Sequence, residues 1–435
     1  MKSLIYKILK YSSKKLIARY NPTIIGVIGN VGKTSMRANM VLFLENFSPV
    51  GTNLENYNTP IGITLSFIDE KYPGTNIFAW LRILFKAISK SWLGDNEFAP
   101  IWVIEIGIDS PGDMDEFIND FLEFDVIVFG FIGEYPVHLA QFKDRKELIN
   151  EDAKILRALK SDGTLIIEGD DQVLKSIYRK RDNVITFGFG DVNIKASDFK
   201  VSLEIVDTEN QWANYHSSIV PKGKFKVEYK GSSIPFQVDY VLGKHQVTSV
   251  LPAIALGLVD GLNLLDISQQ IKQIVPVKGR LRCLEGIKDT LLIDDTYNSA
   301  PSAMIMALDT LKKLNIKGAR KVAILGEMKE LGEESKSIHQ DIGVLAAETV
   351  DVCIGVGEEA KDIVLAFHKH NSKGLYHWFA NSEEAASQIV DFITSDDIIL
   401  VKGSQSSRME KVSVELLANK RYRTDLLTRQ SVDWV

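Results

Sequence analysis

Ile24-Ile25-Gly26-Val27-Ile28-Gly29-Asn30-Val31-Gly32-Lys33-Thr34-Ser35 is a β-branched apolar run that breaks at glycine and resumes as Lys-Thr-Ser ahead of a helix-like segment. The run predicts a buried strand. The break predicts a loop in which Gly29 and Gly32 let backbone N–H groups turn inward around a polyphosphate, while the first turn of the next helix adds its partial positive charge. In that arrangement Lys33 reaches the β- and γ-phosphates and the Thr34 hydroxyl binds Mg²⁺. The spacing is G-x-x-G-K-T, because the first glycine of a full Walker A motif would stand at Val27. An ordinary glycine turn between strand and helix competes with this reading. The strand-loop-helix context and the adjoining Lys-Thr-Ser favour nucleotide binding.

A chain of 435 residues exceeds one ordinary core, so two or three domains are expected. Its 45% hydrophobic and 25% charged residues are those of a soluble globular protein. A net charge of -6 leaves no basic surplus for neutralising phosphates, which excludes a general nucleic-acid binder. Cys283 and Cys353 lie far apart in apolar or mixed segments, which predicts buried thiols in a reducing compartment and excludes a disulfide framework. The first twenty residues carry Lys2, Lys7, Lys10, Lys14, Lys15 and Arg19 without an acidic residue, and their apolar residues recur at helical spacing. They predict an amphipathic helix, either packed on the first domain or resting on an anionic membrane face, and not a secretory signal. The longest later apolar run, Val250 to Leu265, is broken by Asp260 and is not a membrane span.

From residue 23 to about 190 strand-like and helix-like runs alternate, the pattern of a mostly parallel sheet covered by helices. The expected strands are Thr23 to Ile28, Ile101 to Ile106, Val126 to Phe131, Thr164 to Glu168 and Val184 to Phe187. Ligands gather where such strands end. Three polar clusters sit there: the loop Asn53 to Thr64, which holds Asn56, Asn58 and Thr59; Glu105, placed to hold Mg²⁺ beside a phosphate loop; and His138. Taken alone, the asparagines read as turn formers and the histidine as structural. Between about 190 and 240 short alternating runs, Lys224 to Tyr229 and Ile234 to Val238, predict an antiparallel flank. Helix then returns with Gly243-Lys244-His245, and a boundary is expected near Pro276 to Arg282. Beyond it Leu291 to Ile293, Lys321 to Leu325, Asp351 to Val356 and Ile398 to Val401 alternate with helices as a second, smaller α/β domain. Polar groups at both sets of strand ends place a site in the cleft between the two domains.

The blocks Gly29 to Thr34, Asn56-Tyr57-Asn58, Glu105-Ile106-Gly107, His138-Leu139, Gly243-Lys244-His245, Gly279-Arg280, Asp294-Asp295-Thr296-Tyr297-Asn298, Leu325 to Glu333 and Lys402-Gly403-Ser404 occur in this order. In them the chain resembles the Mur ligases, and among these the members that add D-alanyl-D-alanine. The resemblance implies a central mostly parallel-sheet P-loop ATPase domain at 23–278 with a short antiparallel flank, a smaller Rossmann-like α/β C-terminal domain at 279–435, and a basic helix at 1–22 ahead of both. It implies an ATP-dependent amide ligase that phosphorylates a peptide carboxylate and passes the acyl phosphate to an amine. UDP-N-acetylmuramoyl-tripeptide and D-alanyl-D-alanine are the expected substrates, ATP and Mg²⁺ the cofactors, and a cytoplasmic monomer the expected form; the alternatives are a Mur-type ligase for a different peptide, polymer or folate-like acceptor and a non-catalytic nucleotide-binding scaffold.

By similarity, Lys33, His138, Asp152 and Arg280 carry the chemistry. Gly29, Asn30, Gly32, Lys33, Thr34, Ser35, His245, Arg280, Asp294, Asp295 and Asn298 hold the nucleotide or order the domain interface. Thr34 and Glu105 hold one Mg²⁺, and His138 with Asp152 a second. Asn56, Asn58, Thr59, Lys402, Gly403 and Ser404 face the substrates. The sequence departs from the family pattern in several places. Asp152 stands where a carbamate-bearing lysine is usual, with Lys154 as the alternative in a shifted register. Gln246 follows His245 where asparagine is usual, and Glu168 replaces an asparagine. Family members also usually carry a separate domain ahead of the phosphate loop that grips the UDP-sugar, where this chain has residues 1–22. A short form lacking that domain is therefore expected, its acceptor held by the central domain, the basic helix or a partner.

Overall fold

The computed structural model of the chain describes residues 2–430 apart from 55–56, 109, 119–121, 134–140, 179–180, 206–218 and 275–276. Nine strands, in chain order β1 (Thr23–Ile28), β2 (Val50–Thr52), β3 (Ile101–Glu105), β4 (Phe124–Phe129), β5 (Leu159–Glu168), β6 (Val184–Gly188), β7 (Ile194–Ile205), β8 (Ile219–Tyr229) and β9 (Ser232–Asp239), form one sheet. Its spatial order is β2-β3-β1-β4-β5-β6-β7-β8-β9, parallel as far as β7 and antiparallel across β7, β8 and β9. The sequence pattern predicts this division.

Composition explains both halves. Every residue of β1 after Thr23 is buried, because helices cover a parallel strand on both faces. In β8, Phe225 and Val227 face inward while Lys224 and Lys226 face outward, the two-residue period of a half-exposed antiparallel strand. The register Ile25↔Val103 on one side of β1 and Ile25↔Val126 on the other makes β1 central. The connections leaving β1 and β4 diverge there, and the crevice this opens beyond the strand ends is where the loop of Gly29 to Gly32 lies.

The second sheet belongs to a C-terminal domain and comprises β10 (Arg282–Glu285), β11 (Leu291–Asp295), β12 (Lys321–Gly326), β13 (Val352–Val356), β14 (Leu375–Phe379) and β15 (Ile398–Lys402). Its order is β10-β11-β15-β12-β13-β14, with β10 alone antiparallel. The last strand is thus inserted at the centre, which brings Lys402 beside Asp295.

The basic N-terminal segment is a helix over Lys2–Tyr20. Its Ile5 and Leu9 join Leu65, Ile68, Trp80, Ile83 and Ala87 in a small buried cluster, so the helix packs on the helices Pro60–Ile68 and Ile77–Leu93. Among the described residues no helix is long and apolar enough to cross a membrane. Leu9→Ala should leave a cavity in this cluster and cost about 2–5 kcal/mol locally. Hydrogen exchange over Lys2–Tyr20 should then accelerate relative to β1, and unchanged protection would show that Leu9 contributes nothing to the docking.

Candidate active site

The loop after β1 uses conformations that glycine alone adopts cheaply. Gly29 lies at φ 130° and Gly32, which caps the helix Lys33–Leu44, at φ 83°. A Cβ on Gly29 would stand 2.9 Å from the Gly130 carbonyl oxygen. Asn30 N and Val31 N both donate to Phe131 O at 3.0 Å, which ties the loop to the chain leaving β4. Those two N–H groups are therefore turned onto protein, not inward as the sequence predicts. The donors aimed at an anion come from the first helical turn, Lys33 to Ser35, ahead of the bond from Met36 N to Gly32 O at 2.9 Å.

Lys33 Nζ donates to Gly29 O at 2.6 Å, which folds its ammonium over the loop. Thr34 Oγ1 donates to Glu105 Oε1 at 3.3 Å, and Arg37 approaches Glu105 Oε2 at 3.7 Å. Asn53 clasps the backbone of Glu105 from both sides: its Nδ2 donates to Glu105 O at 2.9 Å, and its Oδ1 accepts from Glu105 N at 2.6 Å. Arg37 and Asn53 were not among the sequence candidates. Asn53 is legible only as one asparagine among several in its loop, and Arg37 as one turn beyond Lys33.

Two cavities meet at this loop. One, of about 150 Å³, is lined by Lys33, Thr34, Asn58, Glu105 and Asp152, and from the C-terminal domain by Arg280, Tyr297 and Asn298. The other, of about 340 Å³, is lined by Ser35, Glu168, His245, Gln246, Asp295 and Lys402 among others. Gly32 and Arg280 line both. The Arg280 guanidinium lies 4.3 Å from the Tyr297 ring centre, and its buried Nε has no hydrogen-bond partner among the described residues. A half-buried guanidinium placed in this way is suited to an anion from outside the chain.

Residues 93–257 match the family model of the Mur ligase middle domain, and residues 279–405 that of the Mur ligase glutamate ligase domain. The chain belongs to the Mur ligases. It is 24% identical over 410 residues to the UDP-N-acetylmuramoyl-tripeptide–D-alanyl-D-alanine ligase of Bacillus subtilis, an alignment that spans 94% of this chain and 79% of that protein. The enzyme of the same name from Haemophilus influenzae is 25% identical over 417 residues, 93% of this chain and 79% of its own. In fold, the chain is similar to the MurF ligase from Thermotoga maritima in complex with ADP, with a TM-score of 0.74 at 22% identity over 98% of this chain and 85% of that one.

In this Mur ligase the positions expected to depart from the family pattern have definite surroundings. Asp152 lines the smaller cavity near Lys33. Lys154 instead donates to Asp115 and lies 2.8 Å from Glu151 Oε2, outside that cavity. Its pairing with Asp115 and Glu151 holds its ammonium above the ordinary lysine range, which opposes conversion of a free amine to a carbamate. The Oε1 of Gln246 accepts from Leu242 N at 2.6 Å and Gly243 N at 3.1 Å, so this oxygen caps the helix Lys244–Val259. The carboxylate of Glu168 accepts from Asp170 N and Asp171 N at 3.1 and 3.0 Å.

Five candidates are placed differently from expectation. Asp294 is fully buried, accepts from Thr296 Oγ1 at 2.9 Å and Ser413 Oγ at 2.8 Å, and lines neither cavity. Successive strand residues face opposite sides, so only Asp295 of the pair turns toward the larger cavity. Lys402 is almost fully buried in an ion pair with Asp295 at 2.7 Å and donates to Asn298 O at 3.0 Å, so its ammonium is already engaged. Gly403 and Ser404 line neither cavity: Ser404 N donates to Glu327 O at 3.1 Å, and its hydroxyl lies 2.7 Å from that of Ser407. Thr59 caps the helix Pro60–Ile68 and also lies outside the cavities. Asn56 and His138 lie outside the described residues.

Burial sets the ionisation of three cavity residues. It pushes the Asp152 carboxyl up to about 7 against the pull of Lys33, and the Glu168 carboxyl up to about 7 despite its backbone bonds. It pushes His245 down to about 4, opposed by Asp295 and aided by Lys402. Because folded Asp152 keeps its proton to a higher pH than the unfolded residue, its contribution to stability is complete below about pH 4 and is lost as pH rises through about 7. Asp152→Asn keeps the shape without the charge. It should raise the melting temperature of the ligand-free protein at pH 8 and leave it unchanged at pH 4. Equal shifts at the two pH values would contradict the buried ionisation.

Proposed function

We propose that this Mur ligase joins D-alanyl-D-alanine to UDP-N-acetylmuramoyl-tripeptide at the expense of ATP, in the cytoplasm and as a monomer, with 23–278 and 279–435 as its two working domains. The observation that carries the reading is that Gly32 and Arg280 are shared by two cavities. A nucleotide with its base and sugar in the larger one has its terminal phosphate at the mouth of the smaller one. Relatives named for this reaction align along nearly the whole chain, which supports the choice of substrates.

The donor set suits Mg²⁺. Thr34, Glu105 and Asp152 offer oxygen only. A hard ion held by one or two carboxylates and completed by phosphate oxygens fits such a site. Thr34 and Glu105 would hold the ion that accompanies ATP. Asp152, with His138, would hold one at the acceptor carboxylate. When bound, Mg²⁺ supplies positive charge against the phosphate and carboxylate oxygens.

The chain's own groups do the remaining work. The first-turn N–H groups and Lys33 bind the β- and γ-phosphates, and Arg280 bridges the γ-phosphate and the acceptor carboxylate, two anions that otherwise repel. A carboxylate oxygen attacks the γ-phosphorus and ADP leaves. The amine of D-alanyl-D-alanine then attacks the acyl carbon, loses a proton and expels phosphate. Asn58 lines the acceptor side, and Asn298 joins the C-terminal domain to it. Walls contributed by both domains exclude water that would hydrolyse the acyl phosphate.

Phosphate release with ATP and Mg²⁺ should require both substrates together and yield an amide product by mass. Product formed only with another acceptor would replace the substrate assignment and leave the ligase chemistry. Lys33→Ala should lower turnover by about a hundred- to a thousandfold without lowering the melting temperature, and an unchanged rate would remove the phosphate-loop assignment. Asp152→Ala should reduce turnover more than Lys154→Ala, and the reverse ranking would transfer the metal role to Lys154.

A further inference from the structure

The helix Ile77–Leu93 buries only one side. Trp80, Ile83 and Ala87 pack inward, whereas Phe78 is 84% exposed, Phe85 76%, Trp92 64%, Leu81 59% and Ile77 55%, with Ile88 also exposed. At 3.6 residues per turn these six side chains fall within one arc of about 100°. They form a continuous apolar stripe along four turns, whereas apolar residues on a protein surface are usually scattered singly. Three basic residues and no acidic one share the helix: Arg82 and Lys86 pair with Glu70, and Lys90 with Asp95, at its flank.

The helix Lys2–Tyr20 lies directly beside this stripe. Lys15 Nζ stands 3.2 Å from the Trp92 ring centre, and Arg19 donates to Trp92 O at 3.2 Å. This second helix carries six basic residues and no acidic one, and its own outer face presents Leu4, Lys7, Tyr11 and Lys14. Its buried face is spent on packing, so the surface on offer combines the apolar stripe of one helix with the charge of the other.

We propose that these two helices form an interfacial docking surface for a bilayer containing anionic lipid. Apolar and aromatic groups on one face, flanked by lysine and arginine, are the arrangement of helices that lie in the plane of a membrane with the apolar face in the acyl boundary. Trp92 under the Lys15 ammonium suits the headgroup level, where indole and cation both find partners. Charge selects the occupant. The whole chain has a net charge of -6, yet the helix Lys2–Tyr20 is purely basic while Arg82, Lys86 and Lys90 of its neighbour are balanced by Glu70 and Asp95, so a second copy docked stripe to stripe would bring the two basic N-terminal helices together, whereas anionic headgroups complement them. The proposal is independent of which acceptor the ligase uses.

Flotation of the full-length protein with phosphatidylcholine vesicles containing about one-third phosphatidylglycerol tests this. The protein should float with these vesicles, remain behind with phosphatidylcholine alone, and be released by raised salt. The double variant Phe78→Asp/Phe85→Asp should lose at least about tenfold in bound fraction while its circular dichroism and soluble turnover stay those of the parent. Equal flotation of parent and variant, or no flotation of the parent, overturns the proposal. So does a parent dimer in sedimentation equilibrium that the double variant dissociates without any vesicle binding, an outcome that assigns the stripe to a second copy.

Discussion

The buried ion pair between Asp295 and Lys402 is the interaction on which the geometry of the site depends. The two residues face each other in register on β11 and β15, 2.7 Å apart and nearly out of contact with water. Neither charge is tolerable there without the other, and removing one partner of such a pair usually costs about 3–5 kcal/mol. The pair also reaches outward: Asp295 Oδ1 accepts from Leu281 N at 3.2 Å, and Lys402 Nζ donates to Asn298 O at 3.0 Å. Leu281 follows Arg280, and Tyr297, over which Arg280 lies, precedes Asn298. One strand-to-strand charge pair therefore fixes both the backbone that carries the arginine and the ring that supports it. Lys402 thus touches Asn298 directly and reaches the backbone beside Arg280 through Asp295.

Cations that are to receive anions must not be neutralised by their own chain, and the site keeps its charges apart by geometry. Glu105 is engaged by Thr34, Arg37 and the backbone clasp of Asn53. Lys33 leans on a carbonyl, and Arg280 on an aromatic face. Asp152 sits near Lys33 but is enclosed enough that burial outweighs the ammonium's pull, and its carboxyl rises to about 7. Lys33 and Arg280 thus keep their charges unpaired by any carboxylate within the described contacts, and Asp152 is held towards its neutral form, a cost to the free fold that a bound ligand can offset.

The parts of the fold legible in the sequence are those decided by local chemistry. β1 spans Thr23–Ile28 as its β-branched run predicts, and β8 and β9 follow from alternation. β2, of three residues, is too short to produce a pattern, and β14, Leu-Tyr-His-Trp-Phe at a sheet edge, is half exposed and reads as mixed. The same limit applies to the site. Gly29 to Thr34 is recognisable because phosphate binding requires consecutive residues. Asp294 and Asp295 are indistinguishable in sequence, and only their alternation on β11 sends one into the core and the other to the cavity. Lys402 reads as a free lysine at a strand end until the insertion of β15 beside β11 supplies its carboxylate.

Asp152 has the short reach of an aspartate, and the surrounding structure brings its carboxylate to the cavity through the backbone. Asp152 lies at the end of the helix Arg145–Ala153, which begins with Asp144 accepting from Glu147 N at 2.8 Å. Glu151, next to it, accepts from Met114 N at 3.0 Å, and Lys154 pairs with Glu151 and Asp115, so two residues flanking Asp152 are fastened to the helix Asp113–Ile118. That clamp, and not the length of the side chain, delivers the carboxylate to the cavity beside Lys33. Lys154 thus has a use that conflicts with lining the cavity: withdrawn from the clamp, it would release the helix end that holds Asp152 in place.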